Sequence, residues 1–206
     1  MTPRRKVENL LALAVLGYLT QRPMHPYELS RTLRDNDDAR SFKFSHGSLY
    51  MVFGQLSKAG LIVEQETRRE GQRPERTLYA ITDAGRTEFR EWLGRLLAEP
   101  RHEYPHFVAA LAMIAALPPD QVVDFLRERL TRLAGQRSAC QEVIDQALAA
   151  ELHPLFLVEE EYRIAMLDAE TAYVTRLIGQ ITDPAAGWGP LWAQFHSQAA
   201  TDGRAP

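Results

Sequence analysis

The fold class predicted by the sequence is mostly α: an N-terminal winged helix-turn-helix with a two-stranded wing, plus a C-terminal helical dimerisation region. Three observations predict it. Residues 44–86 read as a helix, two short strands around a basic loop with Gly71 and Pro74, and the start of another helix. Two apolar helical patterns, split by Pro23 and Pro26, precede that stretch. The second half carries long helical patterns with apolar seams but no strand signal. The expected division is a winged helix over 1–98, a helical dimerisation region over 105–182, and a partly docked tail over 183–206.

The first helix, residues 9–20, carries Leu10, Leu11, Leu13, Leu16 and Leu19 around most of its circumference. Such a helix is buried on several sides. Pro26 suits the first turn of the next helix, where no N–H is needed. That helix holds Tyr27, Leu29 and Leu33 and ends near Asn36. A polar loop leads to the third helix, for which Ser45 is the N-cap, because its hydroxyl can accept an orphan N–H. Leu49, Phe53 and Leu56 supply its apolar face. Gly60 ends it, since glycine takes the left-handed conformation beyond a helix cheaply. Residues 61–63 and 78–81 read as strands from their β-branched and aromatic content. Thr82 and Asp83 cap a fourth helix, with Phe89, Trp92, Leu93, Leu96 and Leu97 expected on its buried side.

Pro100 and Pro105 mark the boundary. Three helices then follow, over about 107–117, 120–152 and 155–181. The middle one shows Leu126, Leu130, Leu133, Cys140 and Ile144 at near-heptad spacing, interrupted by Arg137; the last shows Tyr162, Met166, Tyr173, Leu177 and Ile181. Long helices with such seams commonly pair with another chain, and a thin helical pair cannot satisfy two seams alone. A homodimer is therefore expected. Residues 187–206 read as a loose tail whose Trp188, Trp192 and Phe195 dock its first part.

The net charge of -3 conceals an asymmetry. Residues 1–96 hold 16 Lys/Arg against 12 Asp/Glu; residues 97–206 hold 8 against 15. The basic excess lies on the winged helix, as a nucleic-acid partner requires. No apolar run is long enough for a membrane span. The basic-then-apolar start lacks a small-residue cleavage site and is needed for the fold, which argues against a signal peptide. One cysteine, Cys140, makes no internal disulfide and fits a reducing cytoplasm.

A helix set into the major groove by a preceding helix and turn reads base edges and phosphates from its N-terminal residues. Those are Ser45, His46, Ser48 and Tyr50, flanked by Lys43. Arg68, Arg69, Gln72, Arg73 and Arg76 of the basic loop can neutralise phosphates or reach a minor groove. The bland alternatives are a packed Tyr50 with its hydroxyl at the rim, a surface Ser48, and arginines solvated among Glu64, Glu66, Glu70 and Glu75.

These residues also resemble a known family. Tyr27-Glu28-Leu29, His46-Gly47-Ser48-Leu49-Tyr50, Ala59-Gly60-Leu61-Ile62 and the run from Arg76 to Tyr79 with Ile81, Thr82 and Gly85 resemble the PadR family of bacterial transcriptional regulators. The likeness spans residues 9–90. It departs at Pro26, where the family usually has Gly, and at Met51, where a Pro commonly follows the tyrosine. The resemblance implies a dimeric repressor on a palindromic double-stranded operator, released by a small molecule or another signal, with no cofactor. Trp92 or the tail tryptophans are candidates to line an effector pocket between subunits.

Two other readings compete. His102-Glu103-Tyr104-Pro105-His106 matches the H-E-x-x-H zinc-hydrolase pattern, whose chemistry needs both histidines on one helical face. Pro105 would break that helix. Cys140 or the histidines could instead serve a metal or redox sensor, but a cysteine on an apolar seam is commonly a small buried hydrophobe. No Gly-rich phosphate loop and no nucleophile with a base is present, so an enzyme is not expected.

Overall fold

The structure, a computed structural model, describes residues 9–36, 40–68, 76–185 and 187–201. Its contacts fall into two compact units that divide between His102 and Glu103.

The first unit opens with α1 (Leu10–Leu19), α2 (Pro26–Asp35) and α3 (His46–Lys58). Asn9 caps α1 by accepting the Leu11 N–H at 2.9 Å. Seven of its ten residues are buried, as an apolar circumference demands. Leu29 and Leu33 of α2 and Leu49, Val52, Phe53 and Leu56 of α3 close the core around it. Gly60 lies at φ +74°. The Gly60 and Leu61 N–H groups return to the carbonyls of Ser57 and Leu56 at 2.9 and 3.0 Å, a Schellman closure.

The wing strands β1 (Ile62–Arg68) and β2 (Arg76–Ile81) pair antiparallel, Ile62 opposite Ile81 and Arg68 opposite Arg76. They run further into polar sequence than expected, because ladder hydrogen bonds are backbone bonds that charged, solvent-facing side chains tolerate. Met24, between α1 and α2, exchanges two backbone hydrogen bonds with Tyr79, at 3.1 and 3.0 Å. The wing root is thus tied to the helix-turn-helix.

Helix α4 (Asp83–Ala98) is capped by Thr82, whose hydroxyl accepts the Gly85 N–H at 3.0 Å. A Cβ on Gly85 would lie 2.0 Å from the Leu61 carbonyl oxygen, so only glycine permits this approach. Trp92 is buried in the first core, while Leu93 and Leu97 face outward, contrary to expectation. The core fills a narrower stripe than the helix offers.

The second unit holds α5 (His106–Ala112), a 3-10 turn (Ile114–Ala116), α6 (Pro119–Ala149), a second 3-10 turn (Pro154–Leu157), α7 (Val158–Thr182) and α8 (Gly189–Thr201). Helix α7 runs back along α6, with Val122, Val123 and Leu126 meeting Val174, Leu177 and Ile181. The Arg137 that interrupts the α6 seam pairs with Asp168 at 2.6 Å, and this contact raises the pKa of its guanidinium. The expected α7 seam is split: Leu177 and Ile181 are buried, whereas Tyr162, Met166 and Tyr173 face outward. Within the segment read as a loose tail, Gly189–Thr201 is helical, and Trp192 docks it into this core. No helix among the described residues is long and apolar enough to cross a membrane.

Candidate nucleic-acid interface

The N-terminus of α3 is an exposed, well-built helix start. The Ser45 hydroxyl accepts the Ser48 N–H at 3.1 Å, and the Ser48 hydroxyl accepts the Ser45 N–H at 2.7 Å. Ser48 also donates to the Ser45 carbonyl at 3.0 Å. This reciprocal box rigidifies the turn, and it commits the Ser48 hydroxyl to its own backbone. Lys43, Ser45 and His46 are exposed beside it. The positive end of the helix dipole favours an anion here.

Four rings gather where α2 and α3 begin. The His46 ring lies 4.8 Å from Tyr50 and 6.2 Å from Tyr27, and His25 lies 6.2 Å from Tyr50. Tyr50 is 41% exposed and Tyr27 52%. His25 caps α2, its Nδ1 accepting the Tyr27 N–H at 3.0 Å. Met51 is also exposed, so the departure noted there alters the surface and leaves the packing intact. His25 and Tyr27 were missed as neighbours of the α3 start. Tyr27 stood within the family-like run, but its adjacency to His46 depends on how α2 crosses α3, which spacing does not encode.

Of the wing residues, Arg68 and Arg76 occupy facing positions at the outer end of the β1–β2 ladder. Arg69, Gln72 and Arg73 lie outside the described residues. At the wing root, Tyr79 donates to Glu64 at 3.2 Å. Burial and then the Glu64 charge hold its hydroxyl above the usual phenol range, so it stays a donor. Its ring also packs 5.0 Å from Phe53, anchoring the wing to the core.

The competing sites do not assemble. Residues 101–105 are not helical and His106 is the first residue of α5, so the H-E-x-x-H spacing has no helix to act on. Among the described residues no cluster of His, Cys, Asp or Glu has metal-binding geometry. Cys140 is buried on α6. Of the tryptophans considered for an effector pocket, Trp92 belongs to the first core and Trp192 to the second, while Trp188 is half exposed.

Residues 15–91 match the transcriptional regulator PadR-like family. The winged helix is a PadR-like domain. That family is one of transcriptional regulators. A curated relative, the negative transcriptional regulator PadR of Bacillus subtilis (strain 168), is 22% identical over 142 residues, 69% of this chain and 77% of that one. The structure of B. subtilis PadR in complex with operator DNA is similar with a TM-score of 0.61 and 21% identity, covering 84% of this chain and 99% of that one. The complex of B. subtilis PadR with p-coumaric acid scores 0.58 at 19% identity, covering 81% and 96%. The Vibrio cholerae virulence activator AphA scores 0.61 at 18% identity, covering 85% and 99%. At these identities the structural likeness speaks for the fold, both units included.

Proposed function

We propose that this PadR-like protein is a dimeric, cytoplasmic transcriptional repressor that binds a palindromic operator and is relieved by a small molecule. The observation that carries the reading is the α3 start: a capped, exposed helix terminus beside Lys43, His46 and Tyr50, on a fold shared with a relative held on operator DNA. In this reading Lys43, Ser45, His46, Tyr27 and Tyr50 meet phosphates or base edges. Ser48 works through the helix cap, and Arg68, Arg69, Gln72, Arg73 and Arg76 neutralise phosphates. Residues 1–98 bind DNA, 105–182 pair the subunits, and 183–206 brace the pairing region. The exposed Tyr162, Met166 and Tyr173 stripe supports the dimer. Repression is taken from the Bacillus relative; AphA, of the same fold, is named an activator.

A gel shift on the DNA upstream of the protein's own gene, at two salt concentrations, tests the reading. Arg68→Ala with Arg76→Ala is expected to weaken binding and flatten the salt dependence by about two contacts. Tyr50→Ala is expected to lose about tenfold or more against the specific site, with the salt slope kept. No specific shift with the wild-type chain would remove the assignment. In vitro transcription from the same promoter decides repression against activation.

A further inference from the structure

In the second unit, α5, the first 3-10 turn and the start of α6 line an open cavity of about 460 Å³, with Met113 and Phe125 more than half exposed at its mouth. This is the size of site that takes a drug-sized molecule, commonly about 300–1,000 Å³. Phe107, Leu111, Met113 and Phe125 supply much of its apolar lining. Val122 and Leu126, also in the wall, belong to the core cluster that includes Trp192, Leu177 and Ile181. That side of the cavity is therefore fixed by packing and preformed.

Arg129 is the one charged side chain in the lining, and its charge is already answered. Its Nε donates to Glu170 Oε1 at 2.5 Å, and its guanidinium stacks 3.6 Å above the Phe107 ring. An entering anion would have to displace Glu170 or share a guanidinium whose charge is already neutralised, which leaves one negative charge in excess against apolar walls, and both outcomes carry a desolvation cost. An entering cation would meet Arg129 itself. A neutral molecule meets neither obstacle.

We propose that this cavity is the effector site, and that its ligand is a neutral, predominantly apolar small molecule. This rests on the regulator reading above and gives its effector a chemical class. It also separates this chain from the relative crystallised with p-coumaric acid, whose carboxyl group is ionised at neutral pH.

Two dyes with one skeleton test the charge rule on the full-length chain. N-phenyl-1-naphthylamine is neutral, and 8-anilinonaphthalene-1-sulfonate adds a sulfonate. The expected result is fluorescence-detected binding of the neutral dye, with the sulfonate at least about tenfold weaker. Ala110→Trp, which fills the cavity from α5, is expected to abolish neutral-dye binding with helical content and oligomeric state unchanged. Glu170→Gln is expected to leave the neutral dye bound and to tighten the sulfonate by about tenfold, because Arg129 is then unanswered.

Equal affinities in the wild type would overturn the charge rule. Neutral-dye binding that survives Ala110→Trp would overturn the location. A change of oligomeric state in Ala110→Trp would show that a second copy covers the cavity and would overturn the proposal. The operator gel shift separates this inference from its parent. Dye binding without DNA release would leave the site standing and remove its effector role. DNA release by another compound, with no neutral-dye binding, would leave the effector reading standing and remove this cavity.

Discussion

Phe53 and Phe125 are the same side chain in opposite circumstances. Phe53, on α3, is 1% exposed within a core built from α1, α2, α3 and the wing root. Phe125, on α6, is 56% exposed at the edge of a cavity. The contrast extends to the units that hold them. Of the largest fully buried side chains, Val174 alone lies in the second unit. Helix α1 is wrapped by several elements, so its whole circumference finds partners. A two-helix layer such as α6–α7 covers one face of each helix and leaves the rest to water or to another molecule. The first unit is a finished fold; the second has surface in reserve, and the proposed dimer and effector both draw on it.

The largest effect that tests this contrast is truncation of Phe53. Phe53→Ala is expected to lower the stability of the first unit by about 3–5 kcal/mol, measured by urea unfolding. Met166→Glu, on the exposed α7 stripe, is expected instead to convert the dimer to a monomer in light scattering. It is also expected to remove the rise of melting temperature with protein concentration. A monomeric wild type, or a Met166→Glu variant that unfolds like Phe53→Ala, would break the comparison.

Next in size is Gly85→Ala. The added methyl would meet the Leu61 carbonyl oxygen at 2.0 Å and forces α4 away from the first strand. A loss of about 1–3 kcal/mol is expected. Gly94, on the same helix, has open space around it. Gly94→Ala is therefore expected to be neutral or slightly stabilising in the same assay, by about 0.5–1 kcal/mol, since alanine loses less backbone freedom.

How much of this was legible follows from the range of the signals. The Ser45 cap, the Gly60 stop and the apolar faces of α1 to α3 are local and periodic, and all could be read from the chain. The Met24–Tyr79 bridge is one pair joining distant segments, with no pattern to announce it. The ring cluster of His25, Tyr27, His46 and Tyr50 needs a helix crossing angle. The expected α7 seam divides, Leu177 and Ile181 meeting α6 while Tyr162, Met166 and Tyr173 stay outside, and a heptad rule cannot say how much of an apolar stripe a neighbouring helix covers. Trp92 and Trp192 are drawn into the two cores, whereas Trp188 stays half exposed, and composition alone does not say which tryptophan a core absorbs. The cavity of the second unit is lined from α5, a 3-10 turn and the start of α6, and the turn that shapes it has no periodic signal.

The smallest test compares two helix ends of one design. Both α3 and α6 close with a residue in the left-handed region, and in both the following N–H returns to a carbonyl five residues back. At α3 that residue is Gly60, at φ +74°. At α6 it is Glu151, at φ +60°, where the Leu152 N–H reaches the Ala147 carbonyl at 3.0 Å. A side chain in this conformation costs about 1 kcal/mol because Cβ crowds the following carbonyl. Gly60→Ala is expected to destabilise the first unit by about that much. Glu151→Gly is expected to gain about 0.5–1 kcal/mol in the second, the relief being partly offset by the freedom glycine adds to the unfolded chain. Opposite signs from one geometry would show that the first unit has its stop optimised while the second carries unrelieved strain at the α6–α7 turn. A Glu151→Gly variant no more stable than wild type would mean that the carboxylate makes a compensating contact, and the second unit would then be better finished at this turn than its open surfaces imply.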